Sequence, residues 1–248
     1  MSKIQIENQG KVAVLTLNNG ITNAINPELV KDLSEAFNNI RNQAKAMVLC
    51  GGTKFFSIGL DLPTLMKLDR SEMTDFWHKF NHLLFDLYTI PLPTVCAVSG
   101  HAVAGGNVLA LVCDYRFGNA DTKKIGLNEI RLGLPVPYLA DMMLRQLVSE
   151  RAATQMIYSG EFMSFSDAKK IGLIDETYTT ETLKQHSVEK AAELSALQNQ
   201  AFSAVKANRI EEIKTRYEKN WKSKNELFLD SWFSEPTQKM LKDAAQKF

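Results

Sequence analysis

An α/β core followed by a helical C-terminal region is the fold class that this sequence predicts. Three observations lead there. Ala46–Cys50 and Thr94–Val98 are near-continuous apolar runs, each closed by a glycine-bearing turn, the pattern of strands covered on both faces. Segments with helical spacing of apolar residues lie before, between and after these runs, and such alternation places helices over a sheet. In the last fifty-odd residues the spacing is helical throughout. The expected division is a core over residues 1–190 and a helical oligomerisation region over residues 191–248.

Ile4 and Ile6, then Val12, Val14, Leu15 and Leu17, form two alternating runs broken by Asn8-Gln9-Gly10-Lys11, which reads as a β-hairpin. Leu29, Val30, Leu33, Ala36, Phe37 and Ile40 follow at helical spacing, with Asn26 as N-cap and Pro27 at the first helical position. Met73, Phe76, Trp77, Phe80, Leu84 and Leu87 predict a helix over residues 71–88, ended by Pro91 and Pro93. Shorter helices are expected over residues 107–113, 140–147, 149–158 and 166–171, the last stopped by Gly172 as a left-handed cap. In the tail, Ile210, Ile213, Tyr217, Trp221, Phe228 and Trp232 share a face of one helix or two, and Ser234 with Pro236 marks a new start. Because this segment lies beyond the α/β alternation, Trp221, Phe228 and Trp232 are expected to pack a subunit interface.

The 248 residues carry 29 Lys plus Arg against 28 Asp plus Glu, a net charge of +1, so no global field attracts nucleic acid or an anionic membrane. Seven basic and three acidic residues between Lys206 and Lys224 read as a solvated helix face. Cys50, Cys96 and Cys113 lack the paired spacing of a zinc site, and three thiols cannot close a disulfide set, so a reducing, cytoplasmic location is expected. Residues 1–8 alternate polar and apolar and lack the apolar run of a secretory signal. Residues 95–113 carry no formal charge, but Ser99, Gly100, His101, Gly105, Gly106 and Asn107 in their middle fit a strand, turn and helix better than a membrane span.

Two glycine-bearing turns, residues 55–62 and 100–107, follow the two buried strands. Loops at strand ends are where α/β sheets bind ligands, and Gly105-Gly106 opening a helix would aim free N–H groups at an anion. Close packing alone would also explain such glycines, and neither turn has the Lys-Ser/Thr ending of a P-loop. His101 is read as a hydrogen-bonded structural histidine. His78 and His82 stand one helical turn apart with no identifiable third ligand, so no metal site is expected. Asp61 is read as a helix cap or loop-positioning carboxylate, and Asp114 with Arg116 as an internal ion pair.

Phe56-Ser57-Ile58-Gly59-Leu60-Asp61-Leu62 resembles the F-S-A-G-x-D-L segment of the enoyl-CoA hydratase/isomerase (crotonase) superfamily, and residues 98–114 resemble its N-G-x-x-x-G-G-G-x-x-L-A-x-x-C-D segment. Ile125-Gly126-Leu127-Asn128-Glu129, with Leu132-Gly133 following, looks like the Δ3,Δ2-enoyl-CoA isomerase branch. The similarity runs from about Ile4 to Ile174, and the tail resembles the family's trimerisation region. The resemblance implies a crotonase-like spiral of ββα units binding an acyl-coenzyme A thioester. It implies that the backbone amides of Leu60 and Gly105 polarise the thioester carbonyl and that Glu129 is the catalytic carboxylate. Ala24, Ser57, Ile58, Gly59, Asp61, Gly106 and Val108 are the implied substrate-binding positions. A homotrimer or homohexamer is implied as well, with no cofactor beyond the coenzyme A that is part of the substrate.

Val108 stands where hydratases of this family carry a second glutamate. Hydration uses paired groups to handle water and the α-carbon, whereas moving a double bond needs one carboxylate that takes a proton from C2 and returns it at C4. The expected activity is therefore isomerisation of 3-enoyl-CoA to 2-enoyl-CoA. Hydratase, decarboxylase or thioesterase activity, and noncatalytic acyl-CoA binding, stand as alternatives, since one oxyanion hole serves several reactions. Ala104 replaces a common family glycine and Ile58 a common small residue, which alters the loop shape.

Overall fold

The chain opens with the expected hairpin: β1 (Ile4–Gln9) pairs antiparallel with β2 (Val12–Leu17), and Gly10 takes a positive φ of 63° at the turn. The computed structural model describes residues 2–120 and 122–246; Met1, where the alternating N-terminal segment begins, lies outside them. The first helix, α1 (Pro27–Ile40), is capped as predicted, with the Asn26 Oδ1 accepting the Leu29 N–H at 2.9 Å.

Strands then come in pairs. β3 (Ala46–Cys50) and β4 (Phe55–Ser57) precede α2 (Leu62–Leu65) and α3 (Arg70–Thr89); β5 (Thr94–Val98) and β6 (His101–Val103) precede α4 (Gly105–Leu111). β7 (Tyr115–Asn119) and β8 (Lys124–Gly126) precede a 3-10 turn (Glu129–Leu132) and α5 (Tyr138–Leu147). The remainder is α6 (Glu150–Ser159), β9 (Met163–Ser164), α7 (Phe165–Lys170), β10 (Glu176–Tyr178), α8 (Thr180–Ser195), α9 (Asn199–Trp232) and α10 (Glu235–Ala245). The first strand of each pair joins a six-stranded sheet, β1-β2-β3-β5-β7-β10, and the second joins a four-stranded sheet, β4-β6-β8-β9. Each pair thus advances both sheets by one parallel strand, which winds the chain into a spiral of ββα units.

The alternation of side chains explains why β3 and β5 read as wholly apolar. Met47, Leu49, Cys96 and Val98 face the main core, while Ala46, Val48, Cys50, Val95 and Ala97 face a smaller cluster covered by Leu183 and Ala191 of α8. All three cysteines are free and buried. Among the described residues no helix is long and apolar enough to cross a membrane, and no group of three His, Cys, Asp or Glu is placed to hold a metal ion.

The tail differs from expectation in what it packs against. Phe228 and Trp232 are 3% and 0% exposed, Phe228 stacks on Trp77 of α3 with ring centroids 3.6 Å apart, and Tyr217 stacks on Phe85. Trp221 is half-buried, edge-on to His78. Phe228 and Trp232, expected at an interface, are therefore part of the chain's own core, where they cover the apolar face of α3, and Trp221 stays partly exposed. Residues 190 and 191 fall within α8.

Two charge expectations are also corrected. Arg116, 1% exposed, pairs with Asp175 at 3.3 Å and reaches only the backbone carbonyl of Asp114. Asp114 instead accepts from Lys206 Nζ at 2.8 Å, so this lysine of the basic tail is 4% exposed rather than solvated. It ties α9 to the start of β7. Removing one partner of a buried pair leaves the other charge uncompensated, so Lys206→Ala is expected to lower stability by about 3 kcal/mol. An unchanged urea midpoint would show that the tie carries no stability.

Candidate active site

Backbone accounting locates the first feature. After β4, the Ile58 N–H donates to the Thr22 carbonyl at 3.0 Å, the Gly59 N–H to the Ser57 Oγ at 3.2 Å, and the Asp61 N–H to the Ile25 carbonyl at 2.9 Å. The Leu60 N–H donates to nothing among the described residues. Gly59 has a φ of 86°, and a Cβ there would stand 2.9 Å from the Val103 carbonyl oxygen and 3.0 Å from the Gly105 nitrogen. The loop after β4 therefore lies directly against the segment after β6.

On that second segment the Ala104 N–H is bound by the Gly126 carbonyl at 3.0 Å, and the Gly105 N–H is free among the described residues. Ala104 holds φ 47° and ψ −119°, outside the regions open to an alanine, which is stored strain at the turn into α4. A Cβ on Gly105 would stand 3.7 Å from the Leu60 nitrogen, so the two free amides are neighbours. Gly106 is what lets α4 come this close: a Cβ there would meet the Ser57 carbonyl oxygen at 2.2 Å.

Glu129 opens the 3-10 turn after β8, and its carbonyl accepts the Leu134 N–H at 3.0 Å as Gly133 reverses the chain with a φ of 73°. Its side chain is 5% exposed and Oε2 has no partner among the described residues. Burial pushes the carboxyl up from its ordinary 4.5 to about 7. An unpaired buried carboxylate is costly, and such groups cluster where chemistry is done.

Leu60, Gly105 and Glu129 line one cavity of about 580 Å³, together with Ile58 and an apolar wall that includes Leu62, Trp77, Phe80 and Phe228. The structure thus brings together the three expected catalytic residues and one of the expected binding residues. The others stand behind the wall. Ser57 Oγ donates to the Asn23 carbonyl at 2.7 Å while accepting from Gly59; Asp61 caps α2 by accepting the Thr64 N–H at 3.1 Å. Ala24 is buried, Gly59 and Gly106 are spacers, and Val108 lies wholly in the core within α4. These six shape the cavity and do not line it.

His101 accepts the Lys124 N–H on Nδ1 at 3.1 Å and tilts against Phe55, and its pKa is lowered by burial and by Lys123 and Lys124. A larger groove of about 730 Å³, where His78 and His82 lie, contains none of the three catalytic candidates. Lys54, Thr22 and Asn128 line the 580 Å³ cavity and were not among the expected binding residues. Their convergence is set by the spiral, and no local pattern marks it; only Asn128 stood in a motif.

Two convergent N–H donors and a carboxyl poised near neutrality, in a largely apolar cavity, can stabilise a developing enolate oxygen while a proton is moved beside it. The family described as Enoyl-CoA hydratase/isomerase matches residues 7–246. Enoyl-CoA delta isomerase 1, mitochondrial, of Mus musculus is 32% identical over 180 residues, covering 70% of this chain and 61% of that protein. Short-chain-enoyl-CoA hydratase of Clostridium acetobutylicum is 28% identical over 180 residues, covering 71% and 69%. The crystal structure of human mitochondrial Δ3-Δ2-enoyl-CoA isomerase aligns with a TM-score of 0.94 over 99% of this chain and 97% of that chain; at 24% identity this is a likeness of fold.

Proposed function

Because the chain belongs to the enoyl-CoA hydratase/isomerase family, we propose that it converts 3-enoyl-CoA to 2-enoyl-CoA. The thioester oxygen accepts the Leu60 and Gly105 N–H groups, Glu129 Oε2 takes a proton from C2, and the electron pair is held as an enolate. The same carboxyl then returns the proton at C4 as the double bond moves to C2. Each donor aimed at the enolate oxygen is worth about 3 kcal/mol in the transition state. The observation that carries this reading is the buried carboxyl that lines one cavity with two unused amides; the family resemblance adds that Val108, apolar and buried, stands where hydratases carry a second carboxylate.

Incubation with 3-enoyl-CoA is expected to give a product of equal mass with its double bond at C2. Gain of one water from 2-enoyl-CoA would favour hydration instead, and binding without turnover would favour a noncatalytic acyl-CoA carrier. The reaction asks for no cofactor beyond the coenzyme A of the substrate. The three buried free cysteines support a cytoplasmic setting. A homotrimer, or two paired as a hexamer, follows from the family resemblance; with Phe228 and Trp232 buried in their own chain, the contact falls to other surfaces. Sedimentation at micromolar concentration tests it, and a fully active monomer would contradict it.

The raised carboxyl also makes stability pH-dependent. Protonated Glu129 is the form the fold favours, so its stabilisation is full below pH 4.5 and is lost as pH rises through about 7. Glu129→Gln should match the native protein near pH 4 and exceed it by roughly 3 kcal/mol near pH 8. Urea unfolding at the two pH values reads this; equal stability at both would show that the carboxylate is not held at a cost.

A further inference from the structure

The active cavity shares a wall with a second cavity of about 330 Å³: Trp77, Leu134, Pro137 and Phe228 line both. Trp77 comes from α3 and Phe228 from α9, and their rings stack at 3.6 Å with only 10° between their planes. Both are buried, and the Trp77 indole N–H has no partner among the described residues, so stacking and surrounding contacts alone hold the ring. The two stacked rings therefore form one part of the partition, and Leu134 and Pro137 from the loop before α5 form the rest. Val136 and Ile157 continue the apolar surface on its far side.

We propose that the stacked Trp77–Phe228 pair is a length stop for the acyl chain, ending the accessible part of the substrate channel in front of the second cavity. This rests on the acyl-CoA site proposed above. An acyl chain gains by burying each methylene against apolar wall, and gains nothing from methylenes that must fold back or stay in water. A chain that fills the 580 Å³ cavity meets two packed rings. Removing one ring joins this cavity to the 330 Å³ beyond it.

The test compares affinity for butanoyl-, decanoyl- and hexadecanoyl-CoA in the native protein and in Phe228→Ala, by calorimetry, with turnover of the matching 3-enoyl-CoAs in parallel. The preference for hexadecanoyl- over butanoyl-CoA is expected to rise by about tenfold in the variant. Because Phe228 is a core residue, Phe228→Leu serves as the milder change, with circular dichroism and melting as checks of fold, and it should shift the preference in the same direction by less. An unchanged length preference in a folded variant overturns the length stop. Saturated acyl-CoAs have no double bond to move, so a shifted binding preference without double-bond migration of the matching 3-enoyl-CoAs upholds the partition and sinks the isomerase reading. Migration with no shift does the reverse, and a folded native protein that binds none of the three overturns both.

Discussion

Glu129→Gln is expected to slow double-bond migration by about three orders of magnitude while acyl-CoA binding is retained. Glutamine keeps the volume and the turn after β8 but cannot take a proton from C2. Among the described residues that line the cavity Glu129 is the one carboxyl; the other polar side chains are those of Thr22, Lys54 and Asn128. The native enzyme should show kcat/KM rising with pH and levelling above about 7, where the buried carboxyl is ionised. Near-native turnover in the variant would remove Glu129 from the mechanism.

Gly59→Ala is expected to lower kcat by about a hundredfold. The residue has φ 86°, and its Cβ would press on the Val103 carbonyl oxygen at 2.9 Å and on the Gly105 nitrogen at 3.0 Å. Both neighbours are backbone, so relief must come from the loops moving apart, which separates the Leu60 and Gly105 amides. Donors that act on the transition state lose their effect when displaced by a fraction of an ångström. The check is steady-state kinetics on protein confirmed as folded by circular dichroism; unchanged kcat would show that the spacing of these two amides is not what stabilises the enolate.

The strands and helices that were legible are those with enough residues to show a period. β3, β5, α1 and α3 stand where the apolar spacing put them, down to the Asn26 cap. The second sheet was not legible, since strands of two or three residues such as β6, β8 and β9 cannot display alternation, and turns 55–62 and 100–107 looked like loops throughout. The family resemblance pointed to Leu60 and Gly105, but why those two amides are free is tertiary. Thr22, Ser57 and Ile25 occupy the neighbouring donors, and Gly126 occupies that of Ala104. Phe228 and Trp232 misled because an aromatic helical face reads the same whether it covers a partner or its own chain. Asp114 and Arg116 misled because two opposite charges close in sequence look like a pair until Lys206 and Asp175 arrive from distant elements.

The most direct test of a single-carboxyl shuttle is one turnover of 3-enoyl-CoA deuterated at C2, followed by NMR of the product. A Glu129 shuttle yields 2-enoyl-CoA of unhydrated mass with deuterium transferred in part to C4. An unmoved double bond, or a product heavier by one water, would contradict it.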